Sequence, residues 1–217
     1  MKKPSATLED AFEGVMSLLN PGPYGVADAD PKARLIADLG TVTKDLRVTP
    51  VIIGGIAVIV HGHRRQTADV DLLVSRAEAL SLVRKLEASP EFSKIRIDRF
   101  RHTPTGAGVD LCVEGELTSP GHRDRFPSPA EVERLERDPL PVVGLIDLLA
   151  LKVKSARGRD EADFLTLFQE CGLAAADVER VKAKIEDPAL RTTLDRWHAR
   201  ALEEIEREKL RRPPELE

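Results

Sequence analysis

With 217 residues, 41% hydrophobic and 32% charged, the chain has an ordinary globular composition and enough apolar surface for one domain with an appendage, or two small ones. A net charge of -4 argues against a protein that coats nucleic acid nonspecifically, and 4% aromatic residues argue against a base-stacking surface as its main device. No apolar run reaches membrane-spanning length, and Cys112 and Cys171 lack metal-ligand spacing, so two free thiols in a reducing cytoplasm are expected.

Residues 7–19 have helical periodicity and stop at "NPGPYG"; acidic residues interrupt their apolar face, so no signal peptide is expected. "DADPKARLIADLG" starts a helix with Asp30 as cap and Pro31 in the first turn, running to about Leu46. "TPVIIGG" reads as a buried strand and "IAVIVHG" as a short helix ending at Gly62. "ADVDLLVS" is then a strand, "RAEALSLVRKLEAS" a helix, "KIRIDRF" a strand, "TPTGAG" a turn and "VDLCVEG" another strand. The alternation over residues 31–115 points to an α/β or α+β sheet domain.

Residues 116–142 are proline-rich connection, with one helical piece expected at "PAEVERLERD". The remainder reads as four helices: "GLIDLLALKVKSAR", "RDEADFLTLFQECG", "DVERVKAKI" and "PALRTTLDRWHARALEEIEREKLRR", followed by a frayed "PPELE". The charge-dense run Glu203 to Arg212 reads as a solvated face. The organisation expected is an N-terminal helical extension (1–28), a core (29–142) and a C-terminal helical region (143–217).

Chemistry concentrates in "GGIAVIVHGHRRQTADVD", residues 54–71. Alternate side chains of a strand share a face, so Asp69 and Asp71 project together while Val70 and Leu72 enter the core. Two adjacent carboxylates repel, and a divalent cation such as Mg²⁺, held by carboxylates and substrate phosphates, removes the conflict. The bland alternative is one aspartate in solvent and the other capping a turn. Gly54-Gly55 closes a strand and opens a helix, where backbone can approach a triphosphate closely; a tight turn with no ligand is the alternative. Arg65 and Thr67 are spaced two apart and lead into the acid pair, and Asp110 is a third acid on a later strand. Together they make a two-metal phosphoryl-transfer site plausible on chemical grounds.

These residues carry a resemblance. Gly54, Gly55, Ala57, His61, Gly62, Arg65, Thr67, Asp69 and Asp71 fall on the pattern G-G-x-A … H-G-x-x-R-x-T-x-D-x-D. That pattern resembles the DNA polymerase β-like nucleotidyltransferases, and within them the bacterial minimal and abortive-infection (AbiEii-like) group. "GLIDLLALKVKSARGRDEADFLTL" is similar to the helical segment after the core of that group, with Lys152, Arg159, Asp160 and Asp163 at matching positions. The resemblance spans roughly residues 31–170. It implies an α+β nucleotidyltransferase core, a mixed sheet flanked by helices with a helical segment after it. It further implies that Gly54, Gly55, Arg65, Thr67 and Lys152 bind nucleotide, and that Asp69 and Asp71 hold Mg²⁺ or Mn²⁺. Asp110 would be the third metal ligand or the base for the acceptor hydroxyl, with Glu114 as the fallback. Gly55 stands where the wider superfamily has serine, which leaves backbone N–H groups as phosphate donors.

Other residues have plainer readings. His61 and His63, two apart on a short helix, do not share a face and are poor joint metal ligands; His61 is expected to pack or hydrogen-bond behind the loop. Arg64 is expected in solvent, and Cys112 and Cys171 as buried small hydrophobes. Asp160 and Asp163 can pair with Arg157 or Arg159 as readily as act in catalysis. Lys152 either reaches phosphates or snorkels to water.

The function implied is metal-dependent transfer of a nucleoside monophosphate from an NTP to a hydroxyl on an RNA 3′ end such as tRNA, a protein or a small molecule. By analogy with the abortive-infection group, it extends to a toxin paired with an antitoxin protein. The alternative is a non-catalytic nucleotide- or partner-binding module on the same fold. A metal phosphohydrolase would use the carboxylates but has no need of the R-x-T-x-D-x-D approach.

Overall fold

The computed structural model describes Tyr24 and residues 30–211. The helix expected over residues 7–19, the rest of the 1–28 extension apart from Tyr24, and the terminal "PPELE" lie outside the described residues. Helix α1 (Pro31–Thr43) starts where expected: Asp30 is extended, its side chain accepts from the Lys32 N–H at 2.9 Å, and Pro31 supplies the first turn. It ends before Leu46, where Leu46 N–H closes a turn on Thr43 C=O.

Strand β1 (Val51–Ile53) runs into α2 (Gly54–Val60), so the two glycines belong to the helix rather than precede it. Strand β2 (Asp69–Val74) is followed by α3 (Ala79–Ala88), which buries Leu82 and Leu86, one turn apart. The segment expected as the single strand "KIRIDRF" is a hairpin, β3 (Phe92–Arg96) and β4 (Arg99–His102), turning at Ile97-Asp98. No glycine or asparagine marks that turn, so the apolar alternation reads straight through it. Strand β5 (Gly108–Val113) follows.

The helix expected at "PAEVERLERD" is not formed. Arg134–Leu135 is β6, pairing antiparallel with an unexpected strand β7 (Val142–Val143). Val132 and Leu135 have helical spacing, but the Glu133 C=O accepts from the Gly144 N–H at 2.6 Å rather than from a residue one helical turn ahead. β7 in turn pairs parallel with β1, Val142 opposite Ile52. Helices α4 (Leu145–Ser155), α5 (Gly158–Glu170), α6 (Ala175–Ala183) and α7 (Pro188–Arg211) complete the described chain.

The result is α+β: a mixed seven-stranded sheet in the order β3-β4-β5-β2-β1-β7-β6, flanked by helices. One hydrophobic core runs from Tyr24 through the central strands to Trp197 and Ala201. Tyr24 ties in through its hydroxyl, which donates to Leu140 C=O at 2.8 Å and accepts from Leu140 N–H at 2.9 Å. Helix α4 is buried from Ile146 to Lys154, its charged residues included. Each charge has a partner, as burial requires: Asp147 with Lys184 at 2.7 Å, Lys154 with Asp124 at 3.3 Å, and Lys152 with two aspartates described below. Among the described residues no helix is long and apolar enough to cross a membrane.

Candidate functional site

The central strands β2 and β5 run parallel, with Asp71 opposite Asp110 and Asp69 opposite Gly108. Period-two alternation puts Asp69, Asp71 and Asp110 on one face while Val70, Val109 and Leu111 are buried. Asp110, the third acid of the sequence reading, is thus the direct neighbour of the Asp-x-Asp pair. Glu114 is not. It lies beyond the end of β5, where its carboxylate accepts the Arg76 N–H at 3.1 Å, outside the cleft lining.

Two glycines make room for the acids. Gly54 has φ +64°, and a Cβ there would overlap the Asp71 carboxylate. A Cβ on Gly108 would overlap the Asp69 carboxylate in the same way. A third glycine, Gly55, is roofed by the loop leading into β2: a Cβ on it would meet Thr67 Cβ at 2.8 Å and Arg65 Nη2 at 2.9 Å. The Gly55 backbone amide faces the Asp71 carboxyl and works against the rise that burial causes there. Residues 63–68 alternate in burial, carrying His63, Arg65 and Thr67 inward and Arg64, Gln66 and Ala68 outward, as an extended chain does. Thr67 Oγ1 donates to Asp69 C=O at 3.2 Å.

A cleft of about 480 Å³ opens on these residues, lined by Gly54, Gly55, Arg65, Gln66, Thr67, Ala68, Asp69, Asp71, Arg99, Asp110, Lys152, Arg157 and Arg159. Every residue expected for the site from the sequence lines it. None of the lining residues is aromatic or a large aliphatic, so charged and polar groups dominate the cleft. Burial raises the Asp71 carboxyl above its usual range despite Lys152 nearby. Burial likewise raises Asp110; Arg99 opposes the shift while Asp71 and Asp69 add to it.

Arg157 and Arg159, expected only as partners of Asp160 and Asp163, also line the cleft, and Arg99 was not expected there at all. It lies on β4 opposite Asp110, with Nη2 3.2 Å from Asp69 Oδ2 and Nε 3.5 Å from Asp110 Oδ1. Only the strand register places it there, and in "RIDRFRH" it looks like any edge arginine. Among the described residues, no three His, Cys, Asp or Glu side chains are grouped closely enough to hold a metal ion as they stand.

Basic residues reach the cleft on a buried scaffold. Lys152 Nζ is 2.9 Å from Asp160 Oδ1 and 2.7 Å from Asp163 Oδ2, so it neither snorkels nor stands free. Arg157 binds Asp160 through Nε at 2.9 Å and through its backbone N–H at 3.2 Å. Arg65 Nε is 3.2 Å from Asp163 Oδ1, close enough for ion pairing although not aligned as a hydrogen bond. His63 Nε2 is 3.8 Å from the same oxygen. His61 sits behind the glycine turn, its Nε2 2.8 Å from Val143 C=O, and burial lowers its pKa. Cys112 and Cys171 are free and half-buried, and burial raises both thiols.

Three carboxylates on one face, two of them seated over glycines, are oxygen donors of the kind a hard divalent cation takes, but they would have to draw together to share one. Compared with known proteins, the chain matches no protein-family model and no curated protein.

Proposed function

We propose that this chain is a metal-dependent nucleotidyltransferase that moves a nucleoside monophosphate from an NTP to a hydroxyl acceptor. One observation carries the reading: the parallel β2–β5 register sets Asp110 beside Asp71 and Asp69, over Gly54 and Gly108, in a cleft that also carries Arg65, Arg99, Lys152, Arg157 and Arg159. Three acids side by side repel one another, and phosphoryl transfer gives them a use. The sequence resemblance points the same way and supplies the name of the core.

In this reading Asp69 and Asp71 hold Mg²⁺ or Mn²⁺ on the nucleotide side, and Asp110 completes the set on the acceptor side. The cation, when bound, neutralises charge on the transferring phosphoryl group. Arg65, Arg157 and Arg159 attract the triphosphate, and the glycine turn lets it approach the backbone. Lys152 acts mainly by holding Asp160 and Asp163, which aim Arg157 and Arg65. The acceptor oxygen attacks the α-phosphorus, the bond to the β-phosphate oxygen breaks, pyrophosphate leaves, and the hydroxyl proton passes to Asp110.

A second reading, a binding module without turnover, draws on Arg99, which already neutralises Asp69 and Asp110. The test is incubation with each labelled NTP, Mg²⁺ or Mn²⁺, and total cellular RNA and protein. Transfer of label, lost in Asp71→Asn, supports the enzyme. Nucleotide binding with no transfer to RNA, protein or small molecules supports the module. Label in RNA or in protein would separate the acceptor classes, and growth arrest on expression would bear on a toxin held by an antitoxin.

A further inference from the structure

We infer that Arg99 is the counter-ion built into the acidic site, holding Asp69 and Asp110 together in the metal-free protein and having to leave before a divalent cation can bind them. The inference rests on the metal-dependent reading above. It starts from an asymmetry among the cleft cations. Arg65, Lys152 and Arg157 have carboxylate partners of their own in Asp160 and Asp163. Arg99 alone has as partners two of the three acids proposed to carry the chemistry.

The two occupants exclude each other by size and by charge. A ligated Mg²⁺ sits about 2.1 Å from each oxygen, so two carboxylates sharing one ion close on a gap too small for a guanidinium. Arg99 now stands in that gap, 3.2 Å from Asp69 and 3.5 Å from Asp110. A cation entering beside it would also meet a fixed positive charge. Departure is easy: the Arg99 side chain is 36% exposed, and rotating it outward breaks ion pairs that are themselves partly open to water. Asp71 is not a party to that exchange, since the ion pairs of Arg99 are with Asp69 and Asp110. The consequence is a site with weak affinity for a bare ion. A cation arriving with a triphosphate brings further oxygen ligands and can displace Arg99 where the bare ion cannot.

The test is calorimetric titration of MnCl₂ into the nucleotide-free protein, wild type against Arg99→Met and Arg99→Lys, with melting temperature followed in parallel. Arg99→Met should bind Mn²⁺ about tenfold or more tightly, because a competing unit charge is gone. Without metal it should melt below wild type, and Mn²⁺ should restore most of that loss. Arg99→Lys keeps the charge but cannot bridge two carboxylates with a fork, so its affinity should fall between the two. Should Arg99→Met fail to fold, Arg99→Lys alone still decides. Mn²⁺ affinity equal to or below wild type in the variants overturns the inference. So does a stability loss that Mn²⁺ leaves untouched, which marks a structural arginine, and so does a failure of all three proteins to bind Mn²⁺. Nucleotidyl transfer is assayed separately: tighter Mn²⁺ binding without transfer in any of the three proteins sinks the enzyme and keeps Arg99, and transfer with unchanged affinity does the reverse.

Discussion

Gly54 meets two demands with one missing atom. Its φ of +64° disfavours any L side chain by about 1–2 kcal/mol, and its Cβ would occupy the place of the Asp71 carboxylate. Gly106 isolates the first demand, since it has φ +75° but open space around it. Gly106→Ala should therefore cost only that backbone strain, about 1–2 kcal/mol by denaturant unfolding. Gly54→Ala should cost at least as much and should also abolish metal-dependent nucleotide binding, because Asp71 must move. Equal losses, with binding intact in both, would separate the glycine turn from the site. At this scale the sequence was informative wherever chemistry follows local spacing. The two-residue period from Arg65 through Thr67 and Asp69 to Asp71 is the period of an extended chain, and the structure turns all four into one cleft. Arg99 was not legible for the converse reason. Its role depends on standing opposite Asp110 across two strands, and nothing in its neighbours encodes that pairing.

The junction of α4 and α5 shows how elements rather than single residues build the basic side of the cleft. Lys152 reaches from one helix to Asp160 and Asp163 on the next, and Ala156, with φ +50°, makes the turn between them. Removing one member of a buried ion network strands the others, so Lys152→Met should destabilise by roughly 3–5 kcal/mol. Burial alone would raise the Asp160 carboxyl, but Lys152 and Arg157 outweigh it and hold the group below its usual range. A depressed folded pKa means the native state binds fewer protons than the unfolded one there. The stabilisation is thus fully present above the unfolded carboxyl value and is lost as pH falls through the lower, folded value. Asp160→Asn should accordingly be less stable than wild type near neutrality, and the two should converge in strong acid. A constant difference across the acid limb would show that Asp160 is not ionised in this network. Strong periodicities predicted α1, α3 and the four late helices. The errors fell on β6, β7 and the β3–β4 hairpin, two-residue strands and an unmarked turn that exist only because a neighbouring strand offers its edge.

Over the whole molecule, the question is whether the sheet core and the late helices melt as one body. Composition allowed either one domain or two, and the boundary drawn at residue 143 separated them by periodicity alone. Packing crosses that boundary at many points. Val142 and Val143 form one strand beside β1, His61 bonds Val143 C=O, Cys171 donates its thiol to His61 C=O at 3.3 Å, and one core holds Ile52 together with Leu148 and Phe164. The cleft is itself such a crossing, since its acids come from the sheet and Lys152, Arg157 and Arg159 from the helical half. Calorimetry should therefore show a single transition, with van't Hoff and calorimetric enthalpies equal. A ligand bound at the crossing should raise that transition as a whole. At a concentration about 100-fold above its dissociation constant, an NTP with Mn²⁺ adds about 2.7 kcal/mol. For a chain of this length that is a rise of roughly 5–11 °C. Asp71→Asn should keep the single transition and lose the rise. Two resolved transitions, only one of them moved by the nucleotide, would mean that the halves fold separately and that the cleft belongs to one of them.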